Sequence, residues 1–177
     1  RIKPQNIFLE TEISTNNIIL GESIDYSVKL YRRIRLWSSI SIEQNDIKDV
    51  WQEVNDTSEE RIINKNGVRY YELELVNKKL RPLSPGELTI PSLTFKYVVD
   101  FLSGESQLST KEVTINVVEL PQPKPLTFTG AVGEFEMDVS EPKLNKSSNS
   151  LQIQVDISGT GNINAVSAPV IQDTESY

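Results

Sequence analysis

The sequence predicts an all-β chain: an immunoglobulin-like β-sandwich followed by the truncated start of a second, similar sandwich. Three observations carry that prediction. Apolar residues recur at every second position in short runs, as at Ile24, Tyr26, Val28 and Leu30, which is the period of a half-buried strand. Turn formers separate the runs, as at Asn66-Gly67 and Ser84-Pro85-Gly86-Glu87. No stretch carries the helical period over a useful length. Seven or so short alternating strands are what an immunoglobulin-like sandwich needs. Their order is not readable at this stage, so a jelly roll or another Greek-key sandwich fits as well.

Taken in order, Ile7, Leu9, Thr11 and Ile13 line one face of a first strand. Ile18 to Leu20 is a short apolar piece before the turn at Gly21-Glu22. Ile24 to Leu30 is the clearest strand, with Asp25, Ser27 and Lys29 facing outward. Arg32 to Ile42 is rich in β-branched and aromatic residues and reads as a further strand or a long extension. Gln44 to Asn66 reads as a loop or short edge strands, and the 32–66 region has the length at which a loop inside a compact domain usually has a purpose. Asn66-Gly67 tolerates positive φ at both positions and predicts a tight hairpin turn. Beyond it Tyr71, Leu73 and Leu75 face the core, and Glu72 and Glu74 fall on a solvated sheet face. Ser84 to Glu87 suits a type II turn with positive φ at Gly86. Pro91 lacks the N–H of a central ladder, so the strand through Leu88 and Ile90 must end there or lie at an edge. Leu93, Phe95, Tyr97, Val99 and Phe101 alternate with Thr94, Lys96, Val98 and Asp100, and Leu93, Phe95, Tyr97 and Val99 face the core. Ser103 to Ser106 turns the chain into a closing strand with Val113, Ile115 and Val117.

These elements complete a sandwich over residues 1–118. Residues 119–127 form a linker. Its prolines Pro121, Pro123 and Pro125 favour extended polyproline conformation. The pattern restarts over 128–177, with Phe135, Met137 and Val139 in one strand and Leu151, Ile153, Val155 and Ile157 in another. Glu12-Ile13-Ser14 matches Asp138-Val139-Ser140, and Ile24 to Leu30 matches Leu151 to Ile157 at a spacing longer by one residue. The chain therefore holds an internal repeat with its second copy cut short. Its abrupt start at Arg1 and stop at Tyr177 read as those of a fragment.

Composition narrows the chemistry. The formal net charge is −7 over 177 residues, and an acidic chain repels phosphate backbones, so no nucleic-acid partner is expected. Cys and His are both absent, which removes disulfides, thiolate metal sites and the usual neutral-pH general base. No run approaches the roughly 20 apolar residues that span a bilayer. No Ser sits in a Gly-flanked elbow. Glu72 and Glu74 are a carboxylate pair on one strand face, read as solvated rather than catalytic. Asp46, Asp49 and Glu53 lack the spacing of a calcium loop. Gly159-Thr160-Gly161 follows a strand with no helix after it, so it reads as a hairpin turn and not a phosphate cradle. No catalytic residue, cofactor or metal site is expected. The candidates for partner contact are Arg32, Arg33, Arg35 and Trp37, with Trp51 in the irregular region, because arginine and tryptophan dominate interface hot spots. The competing reading places Trp37 in the core and pairs the arginines with carboxylates across strands.

Several motifs converge on one family. Leu20-Gly21-Glu22 leads to Leu30-Tyr31-Arg32-Arg33. Gly67-Val68-Arg69-Tyr70, Leu80 and Pro82-Leu83 lead to Pro85-Gly86-Glu87-Leu88-Thr89-Ile90-Pro91. Phe128-Thr129-Gly130-Ala131-Val132-Gly133-Glu134-Phe135 is followed by Ser158-Gly159-Thr160-Gly161-Asn162. In this order they resemble the extracytoplasmic modules of the BatD family, the aerotolerance (oxygen tolerance) proteins. Trp51-Gln52-Glu53 is similar to a Trp-acidic spot of that family. The resemblance implies a non-enzymatic periplasmic scaffold linked to oxygen tolerance and envelope stress. Its signal peptide and inner-membrane anchor would lie outside this sequence. It also implies protein partners from the same operon: BatA and BatB, with von Willebrand factor A domains, and a tetratricopeptide-repeat protein. The alternative is a carbohydrate-binding or adhesin-like module, which needs a platform of exposed aromatics drawn from Trp37, Trp51 and the tyrosines.

Overall fold

The computed structural model describes residues 5–38, 41–57, 59–145, 147 and 149–169, which form β-strands and no α-helix. The chain divides into two compact units, Arg1–Leu120 and Pro121–Tyr177.

In the first unit one sheet runs in the order β1 (Ile7–Ile13), β3 (Ile24–Arg32), β7 (Val68–Pro82), β5 (Val50–Val54). β7 has 15 residues and carries two short strands end to end on its outer edge. β6 (Arg61–Lys65) pairs with its first part and β5 with its last, so the region from Gln44 to Asn66 supplies short edge strands. Asn66 and Gly67 turn β6 into β7 with φ of 55° and 77°, as a tight hairpin turn demands.

The second sheet is a long hairpin with a gap. β9 (Leu93–Val98) pairs with β10 (Glu105–Ser109), and β8 (Gly86–Ile90) with β11 (Val113–Val118). The two registers are in step: Leu93 and Thr110 exchange backbone and hydroxyl hydrogen bonds of 2.9 Å between them. The gap falls at Pro91, which has no N–H to give the ladder. Gly86 opens β8 with φ of 117°. β4 (Ser41–Gln44) pairs with β9 on one side, and β2 (Asn17–Ile19) pairs parallel to β11 on the other. With β5 and β6, β8 and β9, and β10 and β11 each taken as one interrupted strand, four strands face three plus the short parallel β2, the arrangement of a constant-type immunoglobulin sandwich.

The core lies between the sheets. Ile24, Tyr26, Val28 and Leu30 of β3 are buried there with Leu80, Ile90, Leu93, Phe95, Ile115 and Val117. Each contributes about 1.5–3 kcal/mol of apolar burial. A bulge at Val28/Lys29 lets β7 keep Leu73 opposite Leu30 and Val76 opposite Val28, with the intervening Leu75 packed on the core. Tyr71 shares that face but lies at the sheet end, 37% exposed, opposite Arg32 and Ile62.

Three expectations from the sequence change here. β3 ends at Arg32 instead of continuing, because the Arg32 guanidinium bonds Ile34 O (2.8 Å) and the Trp37 N–H reaches Val98 O (2.8 Å), carrying the chain across to the second sheet. β9 ends at Val98, because Asp100 Oδ1 accepts both the Leu102 and Ser103 N–H groups (2.9 Å each) and starts the turn early. Phe101 is thereby 82% exposed, not core. The proline run is not continuous polyproline: the chain bends at Gln122 and Pro123, whose peptide bond is cis.

The second unit pairs β12 (Gly133–Val139) with β15 (Val155–Gly161) and β13 (Lys143–Asn145) with β14 (Ser150–Gln152), followed by a short 3-10 turn. The alternation from Leu151 to Ile157 is two strands, not one. Between them Gln154 bonds back to Ser140: Ser140 N–H to Gln154 O and Gln154 N–H to Ser140 Oγ, both 2.8 Å. The first unit repeats this reciprocal pair with Ser14 and Asp25, both at 3.0 Å. The internal repeat is therefore structural, but it aligns Asp25 with Gln154. The register is two residues further along than the apolar alternation suggests, because the β13–β14 hairpin takes up the extra chain.

Candidate functional site

The sequence candidates occupy both ends of the first sandwich. Arg32 stands at the end where β3 and β9 finish. Its Nε and Nη2 grip both oxygens of Glu60 at 2.5–2.8 Å, and its guanidinium lies 4.7 Å from the Tyr71 ring centroid. These bonds tie β3 to the approach to β6 and leave Arg32 half-buried. Arg33 and Arg35 are exposed, and Trp37 is 70% exposed rather than in the core. Leu36 packs on the core between them, and Arg35, Leu36, Trp37 and Val99 line a shallow cleft of about 330 Å³. The β9–β10 turn lies beside this segment and adds Phe101 and Leu102, 82% and 91% exposed. Alternation puts Phe101 on the same strand face as Phe95 and Tyr97 and gives Leu102 no role. The Asp100 and Ser103 turn pair was the signal that could have found both.

Trp51 is elsewhere. It lies opposite Arg81 near the far end of β7, with the guanidinium 4.9 Å from its ring centroid. At about 3.3 Å per residue, Arg81 is roughly 30 Å along β7 from Tyr71, so Trp51 and the Arg32–Trp37 segment form no common surface. Trp51 is 47% exposed, and Arg81 Nε is shielded from solvent without a hydrogen-bond partner. Leu83, 67% exposed, follows, its N–H on Asp49 O (3.0 Å). Beside it opens a cleft of about 330 Å³ lined among others by Asp46, Asp49, Pro82, Pro85 and Glu87. Asp46 and Asp49 thus face one cleft, whereas Glu53 sits on β5 opposite Lys79. Among the described residues no group of three or more carboxylates is placed to hold a metal.

Glu72 departs from the solvated face expected of it. It is 5% exposed on the outward side of β7, beneath β6. Arg61, its cross-strand neighbour, bonds it through Nε (2.6 Å) and Nη2 (2.5 Å), and the Tyr31 hydroxyl bonds it from β3. Burial disfavours its charge, but the hydrogen bonds from Arg61 and Tyr31 with the Arg61 and Lys29 charges outweigh it, holding the carboxyl below the ordinary range. Burial, then the Glu72 bond and charge, push the Tyr31 phenol upward. Phe8 stacks on Tyr31 with ring centroids 5.0 Å apart, Tyr70 meets Phe8 edge-on, and Lys65 Nζ caps the Tyr31 ring at 4.5 Å. This is a second, smaller core outside the sheet. It buries Tyr31 and Tyr70, as the main core buries Tyr26 and Tyr97, so these tyrosines offer no aromatic platform.

In the second unit Gly159-Thr160-Gly161 is neither a turn nor an anion cradle but the end of β15. A Cβ at Gly133, Gly159 or Gly161 would lie 2.0–2.3 Å from a backbone oxygen of the partner strand, so only glycine permits this approach. Asn162 then bonds Val132 N–H and Gly130 O through its side chain (2.7 and 2.9 Å).

A family model, the BatD DUF11-like domain, matches residues 11–117. The chain belongs to the BatD family. No curated protein matches it. The matched span runs from β1 to β11, so the BatD domain is the first sandwich. Its motif residues serve that sandwich: Leu30 is core, Tyr31 bonds Glu72, Arg32 grips Glu60, Gly86 opens β8, and Pro85 and Glu87 line the cleft. BatD domains are not a known enzyme family.

Proposed function

We propose that this BatD domain is a non-enzymatic scaffold module of an extracytoplasmic, membrane-tethered protein linked to oxygen tolerance and envelope stress. The observation that carries the reading is the surface around Trp51. A half-exposed tryptophan stacked under an arginine, next to an exposed leucine and a concave cleft, has the composition and shape of a protein-docking hot spot. Its partners are the von Willebrand factor A proteins BatA and BatB and the tetratricopeptide-repeat protein that the family resemblance implies. The acidic cleft favours a basic segment of the partner. The test is a pull-down of the full extracytoplasmic region from its own membranes, with and without Trp51→Ala. Recovery of von Willebrand factor A proteins by the wild type, lost in the variant at unchanged melting temperature, is the expected result. Binding to polysaccharide resin in place of those proteins would replace the scaffold reading by the carbohydrate one.

A further inference from the structure

We propose that the opposite end of the first sandwich, bearing Trp37, Phe101 and Leu102, docks on an anionic lipid surface. This goes beyond the scaffold reading and uses none of its residues. Trp37, Phe101 and Leu102 are 70%, 82% and 91% exposed. The Trp37 N–H on Val98 O places the tryptophan at the root of the turn that carries the other two. That turn is braced by Asp100, whose Oδ1 takes the Leu102 and Ser103 N–H groups and whose own N–H bonds Ser103 Oγ (3.2 Å). These bonds brace the backbone that carries the tip.

Shape and charge select the occupant. Trp37 shares a shallow cleft with Arg35, Leu36 and Val99, but Phe101 and Leu102 are not among its walls, and protein hot spots lie in well-packed, desolvated pockets. A projecting apolar tip needs a matching recess on a protein, whereas the boundary between lipid headgroups and acyl chains accepts it without one. Tryptophan partitions to that boundary, with its ring in the apolar layer and its N–H in the wet one. Arg33 and Arg35 flank the tip, both exposed. Arg32 is committed to Glu60; Asp100 keeps its charge while its Oδ1 accepts backbone N–H groups, and the exposed Glu105 opens β10 just beyond the turn. The complement of lipid phosphates here is the guanidinium pair Arg33 and Arg35 on the Trp37 side of the tip, set apart from the carboxylates of the turn side.

The two tryptophans make the test internal. Single-tryptophan forms of the full 177-residue chain, Trp51→Phe and Trp37→Phe, are mixed with vesicles of phosphatidylethanolamine and phosphatidylglycerol and with vesicles of phosphatidylcholine alone. The proposal expects the Trp37 emission to shift to the blue on the anionic vesicles only, and the Trp51 emission, from the far end, to stay in place. Phe101→Ser with Leu102→Ser, and separately Arg33→Glu with Arg35→Glu, should each weaken vesicle co-sedimentation by about tenfold or more at unchanged melting temperature. Absence of sedimentation, equal shifts of both tryptophans, or binding that ignores both double variants overturns it. Loss of protein capture in the same variants without any vesicle binding would overturn it too and make the tip a protein-docking site. The Trp51→Ala pull-down stands or falls separately.

Discussion

Glu72 sits where three strands cross, with Arg61 from β6 beside it, Tyr31 from β3 bonded to it and Lys29 close in charge. Its folded pKa is held below the unfolded value, so the sign of its pH dependence follows. It stabilises the fold fully above the ordinary glutamate pKa of about 4.3, and that contribution is lost as pH falls further, through the folded value. Urea unfolding followed from neutral pH into this acid range should show the wild type losing stability and Glu72→Gln losing less. Equal slopes would place the acid sensitivity elsewhere. Glu72→Ala should cost about 1–3 kcal/mol at neutral pH, because it leaves the buried Tyr31 hydroxyl without its acceptor. Lys29 belongs to the same outer face: its Nζ lies 2.5 Å from Glu12, so Lys29 is not an indifferent solvent-facing position.

At the level of elements, close approach of backbones holds the second unit's main hairpin. Gly159 lies against Glu134 O and Phe135 Cα of β12, and Gly161 faces Gly133. Gly159→Ala should separate β12 from β15 and cost more than about 2 kcal/mol, since the new methyl meets backbone that cannot yield and the residue keeps positive φ. Hydrogen exchange of the β12 and β15 amides reads this directly; unchanged protection would show that the strands can shift apart at no cost. Gly86 is the control: it has φ of 117° but open space around its Cβ position, so its replacement carries only the backbone penalty, on the order of 1–3 kcal/mol.

For the whole molecule, burial divides the two units. The first encloses a continuous core between two sheets. In the second, no described residue is buried, and Met137, Val139, Leu144 and Leu151 are all more than half exposed. A fragment of residues 1–120 should therefore unfold in one cooperative transition, and residues 121–177 alone should show none, because two-stranded sheets without a covered face are marginal in water. Calorimetry on the two fragments checks this; a sharp transition in the shorter one would mean that its sheets are covered on folding alone.

Period-two alternation and turn chemistry suffice, on their own, for the all-β class and the inward face of β3. They also fix the positive φ at Gly67 and Gly86 and the break at Pro91. These are local consequences: side chains of adjacent residues point to opposite faces, and a missing N–H or Cβ acts on its own residue. The tertiary structure alone decides what depends on a neighbour distant in sequence. Glu72 looks solvated until β6 folds over it, and Phe101 shares the face of Phe95 and Tyr97 until Asp100 ends the strand before it. Trp37 and Trp51, fourteen positions apart, go to opposite ends because the chain crosses to the second sheet and returns between them. Alternation assigns a face. Which faces are covered, and which residues share an end, is set by strand order, and strand order leaves no period in the sequence.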